Sequence, residues 1–486
     1  MRDDARMRIE ATTGGPLETD ADTVVVGLYE GKGVAHDVPD GTLQALVDAG
    51  EARAAYRKLA VAHAEGRRWI LAGLGPRDEF DGERARVVAA LAHGRARELG
   101  ARHLCWEVPH HASDAAVAGL VEGTVLAAYR FTRYRDDEDE RPGLEALMLS
   151  AHDDVAETVR VAGLVAHAQN RARELQDTPP NDMTPIALAA RAEALAAEHE
   201  ALSFEAWDRA AIEGAGMGAF AAVARASREE PRMIVLRYEP PGAEGPLLGL
   251  VGKGVTYDTG GLSLKPKETL PPEKYDMSGG AAVIEALGAI AELGLPIRVL
   301  GVVGAAENAI GSGAMRPADV LRALDGTTIE MVNADAEGRL ILADCLTYSL
   351  REGAERIVDI ATLAGGTVTA LGWTYAALFA ADEAWAAELQ AASEASGEAL
   401  WRMPLHPEYA ERMCGKITDL VNSSAKRMAA HGSTAAEFLH HFVGDVPWAH
   451  VDIAGVADDV DRPYSPRGGT GFGVRLLVAL ARRLAT

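Results

Sequence analysis

Two short segments concentrate groups able to do hydrolytic chemistry. Asn333-Ala334-Asp335-Ala336-Glu337-Gly338-Arg339-Leu340 places two carboxylates and a guanidinium within five residues, with glycine between the second acid and the arginine. Upstream, Lys253-Gly254-Val255-Thr256-Tyr257-Asp258-Thr259-Gly260-Gly261-Leu262-Ser263-Leu264-Lys265 sets two lysines and an aspartate around a glycine pair, and Asp276 follows. Acids and amines gathered beside flexible backbone suit a metal-centred hydrolytic site. A carboxylate can give one oxygen to each of two dications about 3.5–4 Å apart. Asp335 and Glu337 are two residues apart, so extended backbone would send both side chains to one side.

Other chemistries lack their residues. There is no His-Glu-x-x-His, which removes the zincin arrangement. His431, His440, His441 and His450 near the C-terminus read as structural or surface histidines. Gly252-Lys253 resembles the end of a phosphate-binding loop, but position 247 is leucine and the lysine precedes glycine instead of Ser or Thr. That reading fails.

The same residues resemble the signatures of the leucyl aminopeptidases (cytosol aminopeptidases), two-metal exopeptidases that act on peptide N-termini. The resemblance runs from about Asp177-Thr178-Pro179-Pro180-Asn181 to the end of the chain. It includes Trp448-Ala449-His450-Val451-Asp452-Ile453-Ala454-Gly455 and Thr470-Gly471-Phe472-Gly473-Val474-Arg475. The first 150 or so residues resemble the family's variable N-terminal domain more loosely.

The resemblance implies that Glu337 and Asp258 bridge two metal ions, that Asp335 binds one, and that Asp276 and Lys253 complete the other. A lysine ligand must be neutral, and two adjacent dications would depress its pKa enough. An oxygen-rich set with one amine suits Zn, Mn, Co or Mg; the family favours zinc or manganese. Lys265 is then expected to stabilise the developing oxyanion. Arg339 is expected to grip a bicarbonate ion that serves as general base, because a planar guanidinium matches a planar oxyanion. The substrate's free α-amine would bind one metal, which restricts cleavage to the N-terminus. Thr362-Leu363-Ala364-Gly365-Gly366 resembles the family's substrate loop, with Thr362, Leu363 and Gly365 as contacts. Ala454 is a further expected substrate contact. The family also implies a homohexamer acting on short peptides.

Three positions depart from the family pattern. Ala334 replaces a threonine beside the metals. Glu273, after Pro271-Pro272, and Ala457 stand where methionines line the pocket for the N-terminal side chain in relatives. Glu273 either points into that pocket, favouring basic side chains, or swings out to water. Two-metal phosphoester hydrolysis and a non-enzymatic scaffold are the competing readings. All proposed ligands, Lys265 and Arg339 are retained, which favours the peptidase.

These groups must be positioned by a large fold. A chain of 486 residues exceeds one ordinary core. Its 48% hydrophobic and 25% charged content reads as soluble and globular. There is no run of eighteen apolar residues and no signal-peptide-like start, so neither a membrane span nor export is expected. Three dispersed cysteines fit a reducing cytoplasm. The formal net charge of −24 argues against a nucleic-acid partner, since that affinity comes largely from basic residues.

Apolar runs at 23–29, 68–74, 103–108 and 145–150 predict strands, and three–four spacing predicts helices over 83–99 and 114–129. The charged run 133–141, closed by Pro142-Gly143, predicts a loop. A helix over 153–176 should end before Pro179-Pro180. Further strands are expected at 247–252, 297–303, 328–332, 356–361 and 448–453, with Lys253, Asn333 and Thr362 following three of them onto one rim. The expectation is an α/β protein of two α/β domains. A smaller N-terminal parallel-sheet domain would span 1–152, a linker helix 153–177, and a larger C-terminal catalytic domain with a central, mostly parallel sheet 178–486.

Overall fold

The run Thr-Val-Val-Val-Gly-Leu-Tyr at 23–29 is apolar on both of its faces, which only a strand covered on both sides can satisfy. A computed structural model describing residues 7–135, 143–424 and 429–485 places it inside a six-stranded sheet. The strands are β1 (Arg8–Thr12), β2 (Thr23–Tyr29), β3 (Leu59–Ala64), β4 (Arg67–Gly75), β5 (His103–Glu107) and β6 (Ala146–Ser150), in the order β1-β6-β5-β2-β4-β3. Every pairing is parallel except β3 with β4. Val25 packs into one core layer and Val24 and Val26 into the other, as a period-two strand requires.

Helices Gly82–Glu98 and Asp114–Ala128 begin at Asp81 and Ser113, whose side chains accept from the Arg84 and Ala116 amides. Residues 1–170 form this first compact unit together with 461–466, and 171–460 with 467–486 form the second. Helix Ala156–Asp177 begins in the first unit and ends in the second. Of the expected 133–141 loop and its Pro142 closure, residues 136–142 lie outside the described residues.

The second unit is built on β7 (Leu202–Trp207), β8 (Arg232–Tyr238), β9 (Leu248–Asp258), β10 (Val299–Asn308), β11 (Val320–Arg322), β12 (Thr328–Glu330), β13 (Arg356–Ala361), β14 (Ala376–Ala380), β15 (Leu400–Arg402), β16 (Leu420–Val421) and β17 (Trp448–Asp452). Eight of these make one sheet, β15-β14-β17-β13-β9-β10-β8-β7, whose central strands β17, β13, β9 and β10 are all parallel. Antiparallel pairings flank them on both sides. Helix Ser278–Leu293 is buried through its first thirteen residues, so it carries no polar face for most of its length.

Three local expectations are corrected. β9 runs on to Asp258, so Lys253 lies within the strand instead of after it. β12 pairs with β11 and β16 in a separate three-stranded sheet and does not join the central one. Ala334 and Asp335 form a turn leading to Glu337, whose backbone is already helical, so the two acids are not on extended backbone.

Candidate metal centre

Five segments deliver the charged side chains. β9 supplies Lys253 near its middle and Asp258 at its end. The turn beyond β9 supplies Lys265, and the short helix Pro271–Met277 supplies Glu273 and Asp276. The 334–335 turn brings Asp335, and the start of helix Gly338–Arg351 brings Glu337 and Arg339. β13 ends just before Thr362. Gly260 sits at φ +80°, which L side chains rarely adopt, and a Cβ there would lie 2.9 Å from the Asp335 carboxylate. Gly338 is required by close approach: its Cβ would meet Lys253 Cε at 2.6 Å.

Lysines and acids interleave. Lys253 Nζ lies 2.7 Å from Asp276 Oδ1 and 2.8 Å from Glu337 Oε1, and donates to the Thr362 carbonyl at 2.9 Å. Lys265 Nζ lies 2.6 Å from Asp335 Oδ1, 2.9 Å from Asp258 Oδ2 and 3.5 Å from Glu273 Oε2. Glu273 therefore turns toward the lysine and acid cluster instead of out to water. The Thr362 hydroxyl donates to Asp276 Oδ1 at 2.7 Å.

Burial sets the protonation of these groups. It pushes the Asp258 carboxyl up to about 6 and that of Glu273 up to about 7, with Lys265 pulling both back. Asp276 is raised well above the usual range by burial, and Asp335 is raised by the same cause. Burial would also raise Glu337, but Lys253 and Lys265 hold it below its ordinary value. Burial disfavours the Lys253 ammonium too, yet Asp276, Glu337 and Asp258 outweigh it and keep that lysine charged.

The donor set fits divalent ions. One oxygen each from Asp258, Asp335 and Glu337 lie within 4.8 Å of one another, and so do one each from Asp258, Glu273 and Asp276. Asp276 Oδ2 and Glu337 Oε2 are buried without a hydrogen-bond partner among the described residues. Such orphaned carboxylate oxygens are costly unless a cation meets them. Arg339 is also buried: its Nη1 donates to the Asn422 carbonyl at 3.0 Å, while its Nε has no partner among the described residues. Burial pulls its pKa down to about 10. An unsatisfied buried guanidinium edge fits an oxyanion.

The remaining expected contacts are more dispersed. The Leu363 and Ala454 amides both donate to Asp452 Oδ1, at 3.2 and 3.1 Å. Gly365 is exposed at the start of helix Gly365–Leu371. Ala457 is fully buried, and its carbonyl accepts from Gln176 and Thr470. The four C-terminal histidines join none of the ligand clusters among the described residues. His450 is fully buried, with Nδ1 2.5 Å from Asp359 Oδ1.

The sequence profile of the cytosol aminopeptidase family's catalytic domain matches residues 170–478, and that of its N-terminal domain matches residues 25–138.

The chain belongs to the cytosol aminopeptidase family.

A Roseiflexus castenholzii protein described as "Probable cytosol aminopeptidase" is 42% identical over 491 residues, covering 98% of this chain and 99% of its own. Among solved structures, the bottromycin maturation enzyme BotP in complex with Mn superposes with a TM-score of 0.86 at 35% identity, covering 96% of this chain and 100% of its own. A mutant of tomato leucine aminopeptidase gives 0.87 at 30% identity, covering 98% and 96%. As a member of this family the chain is a metallo-aminopeptidase, a peptide hydrolase dependent on divalent metal. No helix among the described residues is long and apolar enough to cross a membrane.

Sequence reasoning missed the residues that hold this cytosol aminopeptidase site in shape. Asn308, at the end of β10, donates from Nδ2 to Asp258 Oδ1 at 2.7 Å and to the Ala334 carbonyl at 2.9 Å. Asn422 accepts from the Val332 and Asn333 amides and donates to the Asn333 carbonyl. The Ser263 hydroxyl accepts from the Ala334 amide, taking up a donor beside the departure from threonine. A polar side chain closing a buried strand was the available signal for Asn308. Asn422 carries none, because its partners lie 83–90 residues away.

Proposed function

We propose that this chain hydrolyses the N-terminal residue from short peptides using two divalent ions, with bicarbonate at Arg339 as general base. The observation that carries the reading is that Asp258 belongs to both carboxylate clusters, one with Asp335 and Glu337 and one with Glu273 and Asp276. That arrangement supports two ion positions sharing a carboxylate. Asp258 and Glu337 would bridge, Asp335 would serve one ion, and Asp276 with deprotonated Lys253 the other. When bound, the ions would lower the pKa of water and polarise the scissile carbonyl.

The chain's own groups supply the rest. Lys265, held between Asp258 and Asp335, presents an ammonium to the developing oxyanion. Arg339 offers its unpartnered edge to the planar anion. Thr362, Leu363 and Gly365 orient the peptide backbone, while Glu273 and Ala454 shape the pocket for its first side chain; the fully buried Ala457 lies out of reach of a substrate. We assign catalysis to residues 178–486, with 1–152 as an accessory domain and 153–177 as the connector. A relative described in complex with Mn supports manganese, with zinc as the alternative. The assembly is proposed as a cytoplasmic homohexamer with no nucleic-acid partner.

The deciding experiment is Glu337→Ala with metal analysis and a panel of aminoacyl fluorogenic substrates. Loss of two-ion occupancy and of activity by orders of magnitude is expected, with the fold intact. Near-normal turnover in a folded, metal-analysed variant would overturn the site.

A further inference from the structure

The first unit contains a cluster that the aminopeptidase reaction does not use. His36 follows β2, His110 follows β5 and His152 follows β6, and these three strands are adjacent and parallel in the sheet. Three imidazoles therefore emerge at the carboxyl ends of neighbouring parallel strands, where ligands of open α/β sheets collect. One nitrogen from each ring lies within 4.8 Å of the other two, and all three residues are exposed. The ring centroids are 4.2 Å apart for His110 and His152, 5.2 Å for His36 and His110, and 5.3 Å for His36 and His152.

A carboxylate stands behind them. Glu107, the last residue of β5, is only 8% exposed and takes a short hydrogen bond from His36 Nδ1 through Oε1. Its Oε2 is buried with no hydrogen-bond partner among the described residues. A carboxylate on Nδ1 fixes the tautomer with the proton there and leaves Nε2 as a lone-pair donor, the arrangement that orients metal-binding histidines. Stacked surface histidines alone would need no buried acid behind them.

We infer that His36, His110 and His152 form a second metal site, for a borderline divalent transition ion of the Zn²⁺ type, with Glu107 as the orienting partner of His36. Imidazole donors suit Zn, Cu, Ni and Co and disfavour Mg and Ca. This donor set differs from the lysine and carboxylate set of the catalytic unit. Tetrahedral Zn–N bonds of about 2.0–2.1 Å put ligand nitrogens roughly 3.4 Å apart. The rings must therefore rotate, closing the widest pair by at most roughly 1.4 Å from the 4.8 Å limit, which loops at strand ends can accommodate. The neighbouring Arg77 guanidinium donates to the His110 carbonyl at 3.2 Å, leaving the imidazole nitrogens of His110 free of that contact. Bound metal would tie three strand-end loops together and keep an open fourth position toward solvent.

The test uses the full chain stripped of metal. Zn²⁺ is titrated against a chromophoric chelator into the wild type, His110→Ala/His152→Ala and Glu337→Ala, and Cu²⁺-loaded samples are examined by pulsed EPR for remote imidazole nitrogens. The wild type should bind one more equivalent than the double-histidine variant and show the imidazole signal, which that variant should lose. Glu337→Ala should keep both the extra equivalent and the signal, which separates this site from the catalytic one. Aminopeptidase turnover with Mn²⁺ should be the same in wild type and the double-histidine variant. Equal Zn²⁺ stoichiometry in the wild type and the double-histidine variant, or an imidazole signal that survives in that variant, would overturn the assignment.

Discussion

Replacing Glu273 with methionine should change which N-terminal residues are cleaved, without changing metal content. Its carboxylate is turned inward, 3.5 Å from Lys265 and grouped with Asp258 and Asp276. A substrate Arg or Lys side chain reaching to about 5 Å of it would gain roughly 3 kcal/mol at an effective dielectric near 20. Lys265 already neutralises much of that field, and a half-wet pair keeps only about 1 kcal/mol after desolvation. That corresponds to about a fivefold preference. The quantity to measure, above about pH 8 where the Glu273 carboxyl is ionised, is the ratio of kcat/KM for arginyl and leucyl substrates, which reports differential transition-state binding. Glu273→Met should lower the Arg:Leu ratio about fivefold, with metal stoichiometry unchanged. A ratio within twofold of wild type, at equal metal content, would mean that Lys265 and the metal cluster consume the Glu273 charge, and the specificity argument would fail.

Other consequences are open to direct measurement. Arg339→Ala should bind both ions but turn over slowly, and bicarbonate should accelerate degassed wild type while leaving the variant unaffected; a wild-type rate indifferent to CO₂ exclusion would remove the anion from the scheme. His93 is buried in helix Gly82–Glu98, and that burial, with Arg97 adding to it, lowers its pKa from 6.5 to about 4. The unfolded chain then binds the extra proton between those values, so stability is full above pH 6.5 and falls as pH drops toward 4. The loss amounts to roughly 3 kcal/mol. Urea midpoints at pH 7.5 and pH 4.5 should diverge in wild type and much less in His93→Gln; equal pH dependence would contradict this. Sedimentation velocity should give a hexamer, and a stable, active monomer would refute the proposed assembly.

The central strands of both sheets were legible because their apolar runs are nearly unbroken, whereas β8 and β14, equally apolar, were passed over. β2 and β13 match their expected ranges, and helix Asp114–Ala128 ends one residue early. Legibility failed where the site itself interrupts the pattern. Lys253 and Asp258 are polar residues in a buried strand, so the apolar run seemed to stop at Gly252 although the hydrogen bonding continues through both of them. β12 keeps only three residues in pairing, too few for periodicity to say which sheet they join. The clustered acids and lysines of the candidate site were readable because their types and spacing are chemical. Asn308 and Asn422 were not, since an amide that braces a loop through contacts 26–90 residues away leaves no local pattern.

Tyr464 gives the chain's biosynthesis an unusual timetable. Its ring is 2% exposed within the first unit's core, its hydroxyl lies 2.8 Å from Glu83 Oε1, and the Arg86 guanidinium covers its face at 5.8 Å. Yet it belongs to the 461–466 segment, made roughly 300 residues after the rest of that unit. At about 5–20 residues per second, the ribosome delivers it some 15–60 s later. Until then the nascent unit holds a cavity where an aromatic ring belongs, beside Arg86 and its ion pairs with Glu83 and Glu122. The unit is completed only after residues 171–460 have been made, so its final packing waits on synthesis of most of the second unit.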